Sequence, residues 1–198
     1  MKKSSATEKE IINAAIDLFV RKGYHATSIQ NITETVGLTK GAFYTHYKSK
    51  GDLLLRILER FKTLCIEQLI KEVSGYPGSP YDKIHYCISF ISRFAVTNAN
   101  LCIFLSSLTT ELKDDENFKK SLQNIYKKYQ NFLSKLFSEG IKEGHFTSDM
   151  DPDLAALSFM AFQDGILLQW NLNKDNVDGK QFSATFRKIF FTGIHRKK

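Results

Sequence analysis

The sequence predicts an all-α fold. Apolar residues recur at helical spacing along most of the chain, and no stretch alternates polar and apolar as a half-buried strand would. Only 3 prolines and 11 glycines interrupt the 198 residues, so long helices are allowed. With 42% hydrophobic and 25% charged residues, the composition is that of a soluble globular protein, long enough for one large domain or two small ones.

The elements follow in order. Thr7 and Glu10 have capping-box spacing and open a first helix. Ile12, Ala15, Ile16 and Phe19 share its buried face, and Gly23 closes it after Arg21 and Lys22. Thr27 and Gln30 form a second capping box, ahead of a short helix that carries Ile29, Ile32 and Val36 and stops at Gly37. Thr39 caps a third short helix through Tyr47. Ser49 and Asp52 then start a long amphipathic helix with the stripe Leu53, Leu54, Ile57, Leu58, Phe61, Leu64, Cys65 and Leu69. The stretch SGYPGSP, Ser74 to Pro80, breaks the chain. Helices are predicted beyond it at residues 81–97, 99–111, 115–140, 152–173 and 180–196. A second loop, GIKEGHFTSDMDPD, precedes the helix capped by Asp151 with Pro152 in its first position. These elements divide into a domain over residues 1–50, with a helix-turn-helix at 28–47, and a helical domain over residues 51–198.

Several function classes find no support. There is no G-x-S-x-G, P-loop, G-x-G-x-x-G or H-E-x-x-H motif, and the five histidines are scattered, so neither an enzyme nor a cofactor is expected. Asp149, Asp151 and Asp153 imitate the first ligands of a calcium loop, but Leu154 stands where that loop needs glycine and Met160 where it needs glutamate. Cys65, Cys87 and Cys102 are widely spaced among apolar neighbours and read as buried thiols rather than a disulfide frame or a metal site. No secretory signal and no membrane-length apolar run is found, which predicts a cytoplasmic protein without a membrane partner.

What remains is charge. The net charge is +7 and the pI about 9.2, and no Asp or Glu occurs between Glu34 and Asp52. Within that window lies TKGAFYTHYKSK, rich in lysine and aromatics. A helix to Val36, a turn at Gly37 and Leu38, and a helix from Thr39 make a helix-turn-helix. On the second helix Phe43 and Tyr47 point inward. Lys40, Gly41, Tyr44 and Thr45 share the outward face, and Lys48 and Lys50 flank the helix end, placed for a phosphate backbone. Glycine in a helix costs roughly 1 kcal/mol against alanine, and a bare backbone on the outward face suits a partner that comes very close. Duplex DNA entered through the major groove fits this face.

These residues also resemble a known family. Tyr24 to Ile32, with the pattern Y-x-x-T-S-I-x-x-I, and GLTKGAFYTHYKSKGDLL, Gly37 to Leu54, are similar to the tetracycline-repressor (TetR) family of bacterial transcriptional regulators, with the specific match over about Glu8 to Leu55. The remainder resembles the family in architecture only, without fixing a subgroup. The resemblance implies that Thr27 and Ser28 bond phosphate oxygens. It implies that Thr39, Lys40, Tyr44 and His46 contact phosphate or base edges, and that Ala42 and Thr45 fall at variable base-reading positions beside the family glycine, Gly41. Lys48 would flank the phosphate backbone and Lys50 anchor it. Gly51 departs from the acidic residue common there, which would loosen the first turn of the long helix.

The second domain carries many aromatics and a few polar groups in apolar surroundings: Gln163 and Asn171 near Trp170, and Thr110 with Glu111. An apolar cavity with a few polar groups suits a small molecule, and the family implies an inducer there. The expected ligand site lies between the long helix after the first domain and the helices at 81–173. Its candidate residues are Phe61, Cys65, Phe90, Phe94, Phe104, Gln163 and Trp170. The ligand is expected to be largely apolar or aromatic, and neutral or anionic. A homodimer is expected through Leu154 to Trp170 and Phe182 to Ile194, whose apolar faces exceed what one subunit covers. The reading is thus a ligand-responsive DNA-binding regulator, most simply a repressor that leaves an inverted-repeat operator when the ligand binds. The alternative is a helical binding or scaffold protein whose DNA-binding head is not functional.

Overall fold

The computed structural model describes residues 2–112, 115–173 and 175–194, with the side chains of residues 2–5, 109–111 and 194 outside that description. The expectation for Thr110 and Glu111, and the end of the helix expected at 180–196, therefore lie outside the described residues. Among those described, the regular elements are helical throughout: α1 (Lys2–Lys22), α2 (Ile29–Thr35), α3 (Lys40–Tyr44), α4 (Lys50–Phe61), a π segment (Lys62–Glu67), α5 (Gln68–Ser74), α6 (Pro80–Thr97), α7 (Ala99–Glu111), α8 (Glu116–Lys142), α9 (Pro152–Asn173) and α10 (Gly179–Ile194).

Two compact units share these helices. One comprises Met1–Lys62 with Asn100–Leu122, the other Thr63–Ala99 with Gln123–Lys198. This division does not coincide with a boundary at residue 50, because α4 and most of α7 fall in the first unit. In that unit Phe19 of α1 stacks on Phe104 of α7, with centroids 4.9 Å apart. Ile11, Ala15, Ile32, Phe43, Leu54 and Ile57 close the core around them. In the second unit α6 packs on α5, α9 and α10, around Leu69, Ile84, Phe137, Phe146 and Phe159.

The helix starts show where local signals hold. Thr39 caps α3 by accepting from the Ala42 amide at 3.1 Å, and Ser49 caps α4 by accepting from Asp52 N at 3.0 Å. Asp151 caps α9 through Leu154 N at 2.8 Å. Two starts differ from expectation. The first helix begins at Lys2, so Thr7 lies inside it rather than at its cap. The second capping box is Ser28 with Asn31, one residue after the expected Thr27 and Gln30: Ser28 Oγ accepts from Asn31 N at 3.1 Å, and Asn31 Oδ1 accepts from Ser28 N at 3.0 Å. The long helix runs on through the π segment, whose wider turn shifts the apolar register. Ile66 is consequently buried, and Leu64, expected in the stripe, is exposed. The three thiols are all buried and free of disulfides.

Candidate nucleic-acid interface and ligand cavity

The turn between α2 and α3 rests on Gly37, whose φ of 67 is the left-handed conformation that suits glycine. Leu38 N then bonds back to the Thr33 carbonyl at 2.8 Å. α3 is short, and its orientation is fixed from below: Phe43 is fully buried, Tyr47 nearly so, and their rings meet at 5.3 Å. The opposite face is open. Lys40, Gly41 and Thr45 are exposed, Tyr44 is 55% exposed, and Ala42 and His46 are half-buried at the edge. A Cβ on Gly41 would meet only Thr39 Oγ1, at 3.7 Å, so nothing in the fold requires glycine there. Lys48 is exposed just past α3, its backbone N donating to Asp52 Oδ2 at 2.9 Å. That bond, with Ser49, secures the first turn of α4 despite Gly51. Ser28 is exposed at the start of α2.

Two expected phosphate contacts have other work. Thr27 is fully buried, and its hydroxyl donates to the Gly23 carbonyl at 2.8 Å, tying down the loop between α1 and α2. Its amide bonds the Tyr24 carbonyl at 3.3 Å, so neither polar group faces outward. Lys50 turns inward as well. Its ammonium donates to the carbonyls of Tyr24 at 2.7 Å and Thr27 at 2.8 Å, 4.4 Å above the Tyr24 ring. Both residues hold the loop that positions α2.

The second unit contains a cavity between α6, α9 and α10, with about 60 Å³ open to water-sized molecules. Of the candidate ligand residues, Gln163 and Trp170 lie in its wall. The other candidates do not. Phe104 and Phe61 belong to the first unit, where Phe104 is fully buried against Phe19. Cys65 and Phe90 are buried in the core of the second unit, and Phe94 is half-buried outside the lining. The wall from α10, with Phe182, Ser183 and Phe186, was not expected. A signal for it existed in the two serines that interrupt apolar faces, Ser92 in CISFISRF and Ser183 in FSATF. Their hydroxyls lie 3.1 Å apart in the wall. Behind the cavity, Tyr129 donates to Gln163 Oε1 at 3.0 Å. Burial pushes the Tyr129 phenol and the Cys87 thiol far up, and Cys102 up to about 12, so these groups stay protonated and the thiols inert.

Among the described residues, no cluster of three or more His, Cys, Asp or Glu side chains converges, and no single helix is long and apolar enough to cross a membrane. A helix-turn-helix head joined to a helical part with a cavity defines a one-component DNA-binding regulator. Comparison with known proteins agrees with that class. Residues 11–57 match the model of bacterial regulatory proteins of the tetR family, and residues 101–190 match the C-terminal part of BetI-type transcriptional repressors. The fatty acid metabolism regulator protein of Bacillus subtilis is 24% identical over 198 residues, covering all of both chains. The crystal structure of the MbdR regulator from Azoarcus sp. CIB has a TM-score of 0.85 and 26% identity, over 93% of this chain and 97% of that one. FadR from Bacillus subtilis in complex with stearoyl-CoA has a TM-score of 0.78 and 23% identity, over 94% and 99%, and shares the fold. The chain belongs to the TetR family of bacterial transcriptional regulators and is a ligand-responsive DNA-binding regulator.

Proposed function

We propose that this regulator is a cytoplasmic, homodimeric repressor that lays α3 in the major groove of an inverted-repeat operator and releases it when an apolar small molecule binds. The observation that carries the reading is the outward face of α3. Lys40, Gly41, Tyr44 and Thr45 stand clear of the fold, while Phe43 and Tyr47 lock the helix from beneath. With Ala42 they face base edges, Thr39 and His46 reach phosphate or base edges, and Ser28 and Lys48 bind phosphate on either side.

The dimer follows from a stripe of exposed apolar residues. Leu154, Leu157, Leu168 and Leu172 run along one face of α9, and Ile189 of α10 is 67% exposed. Ala161 and Gly165 interrupt the α9 stripe with small residues, so a second copy can approach closely in a four-helix contact. Phe186 and Phe190, on the same helix as Ile189, are buried within their own unit. Two heads on a dimer reach half-sites one helical turn apart or a multiple of it. Ligand binding that favours another head spacing weakens DNA affinity by linkage, typically 5- to 150-fold. The stearoyl-CoA bound by the Bacillus subtilis FadR supports an apolar ligand here.

The test is fluorescence anisotropy with labelled duplexes tiling the DNA upstream of the gene. One duplex with an inverted repeat should bind far more tightly than the rest, with a steep negative salt slope. Equal binding to every duplex, or none at low salt, would count against operator recognition.

A further inference from the structure

We propose that the cavity between α6, α9 and α10 selects its ligand by an acyl oxygen: an apolar chain or ring ending in a carboxylate or acyl carbonyl, whose oxygen accepts from Gln163 and from the Ser92–Ser183 pair. The inference rests on the ligand-controlled reading above and adds the chemistry of recognition. Gln163 is 8% exposed and lies on the cavity wall. Its Oε1 accepts from Tyr129, but its Nε2 has no partner among the described residues. That nitrogen is closed off from solvent, so a turn of the Gln163 side chain must bring it to a ligand acceptor, which then removes the cost of a buried, unpaired donor.

The second donor comes from counting hydrogens. Ser92 and Ser183 share one hydrogen bond, and either oxygen can donate it. Two hydroxyls carry two hydrogens, so one O–H is left over whichever way the bond runs. Arg187 Nη1 donates to Ser183 Oγ at 3.1 Å, so the pair already has a cationic donor behind it and gains most from an acceptor in front. Among the described residues the rest of the lining is apolar, including Ile88, Ile91, Ile166, Leu167 and Phe182, and no Asp or Glu belongs to it. A cationic ligand finds no counter-charge there and meets the Arg187 field. An acyl compound matches both the donors and that field. Gln163 and Ser183 are deeply placed, while Val96 in the lining is 64% exposed. The oxygen therefore enters first, and the apolar body trails toward Val96.

Trp170 is the only tryptophan and lines the cavity, so its emission reports binding without DNA. The purified full chain is titrated with octanoate, methyl octanoate and octylammonium, and operator release is followed in parallel. Octanoate or its ester should shift the Trp170 emission saturably and octylammonium should not. The stronger of the two binders tells a free carboxylate from a neutral acyl group. Gln163→Met should weaken the acyl probe about 10- to 100-fold, and Ser92→Ala several-fold, each with an unchanged helical circular dichroism spectrum. If Gln163→Met fails to fold, Ser92→Ala decides alone. Equal binding of octylammonium, or acyl binding indifferent to every folded variant, overturns the inference. Acyl binding without operator release would leave this site intact and sink the release mechanism. Release by a compound that leaves Trp170 unaffected would do the opposite.

Discussion

Lys50 donates its ammonium to the Tyr24 carbonyl at 2.7 Å while sitting 4.4 Å above the Tyr24 ring, and so joins the first turn of α4 to the loop between α1 and α2. Its Nζ also reaches the Thr27 carbonyl at 2.8 Å, and Thr27 in turn bonds Gly23. A lysine that sequence places beside a phosphate backbone therefore acts first as a clamp on the head. Lys48, two residues earlier, remains exposed.

The two lysines should separate in experiment. Lys48→Ala should leave the melting temperature unchanged and flatten the salt dependence of DNA binding by about one unit of slope. Lys50→Ala should lower stability by about 1–2 kcal/mol, because carbonyls bonded to a charged group lose their donor, with partial exposure reducing the loss. Salt-series anisotropy and thermal melts check both. A stable Lys50→Ala variant that loses one unit of salt slope would return Lys50 to the phosphate.

Gly41→Leu should abolish operator binding while the protein stays folded. A Cβ at this exposed position meets only Thr39 Oγ1, at 3.7 Å, and removing glycine from a helix gains up to roughly 1 kcal/mol. A melting temperature at or above the parent value, with operator affinity reduced at least tenfold, is the expected pair of results. Unchanged affinity would mean that this face does not enter the groove.

Ile189→Arg combined with Leu157→Arg should break the dimer. Both residues are exposed in the single chain, so the charges cost the monomer little but would be stranded unpaired in an apolar interface. Sedimentation should give about twice the 22.7 kDa of the chain for the parent and the chain mass for the double variant. Operator affinity should fall with the dimer. A parent at the chain mass at micromolar concentration would remove the dimer altogether.

Tyr47 ties stability to alkaline pH. Burial, reinforced by the Glu8 carboxylate, raises its phenol from 10.0 to about 12, and its hydroxyl has no hydrogen-bond partner among the described residues. The folded state holds the proton more tightly than the unfolded chain does. The contribution is therefore fully present below pH 10 and is lost as pH rises from 10 to 12. Tyr47→Phe should raise stability at pH 7 by about 1 kcal/mol, since it deletes an unpaired buried hydroxyl. It should also make the melting temperature less sensitive to pH across that window. Reduced stability at pH 7 would point to a hydroxyl partner after all.

By itself the sequence determined what depends on near neighbours. Helical spacing, the caps at Thr39, Ser49 and Asp151, the turn at Gly37 and the inward Phe43 and Tyr47 all rest on contacts within a few residues, so their pattern is legible along the chain. The acid-free, lysine-rich window around α3 is legible for the same reason. Tertiary structure decided what depends on partners far apart in sequence. Thr27 and Lys50 look like surface donors until the loop carbonyls from Gly23 to Thr27 fold over them. Phe104 looks like a ligand contact until it meets Phe19, 85 positions earlier in the chain. Ser92 and Ser183 are 91 positions apart, and only the packing of α6 on α10 brings their hydroxyls to 3.1 Å. A side chain's type and period say that it can bury, cap or donate. Which distant group receives it is fixed by packing, where close contact in a dense interior leaves each donor a small choice of acceptors.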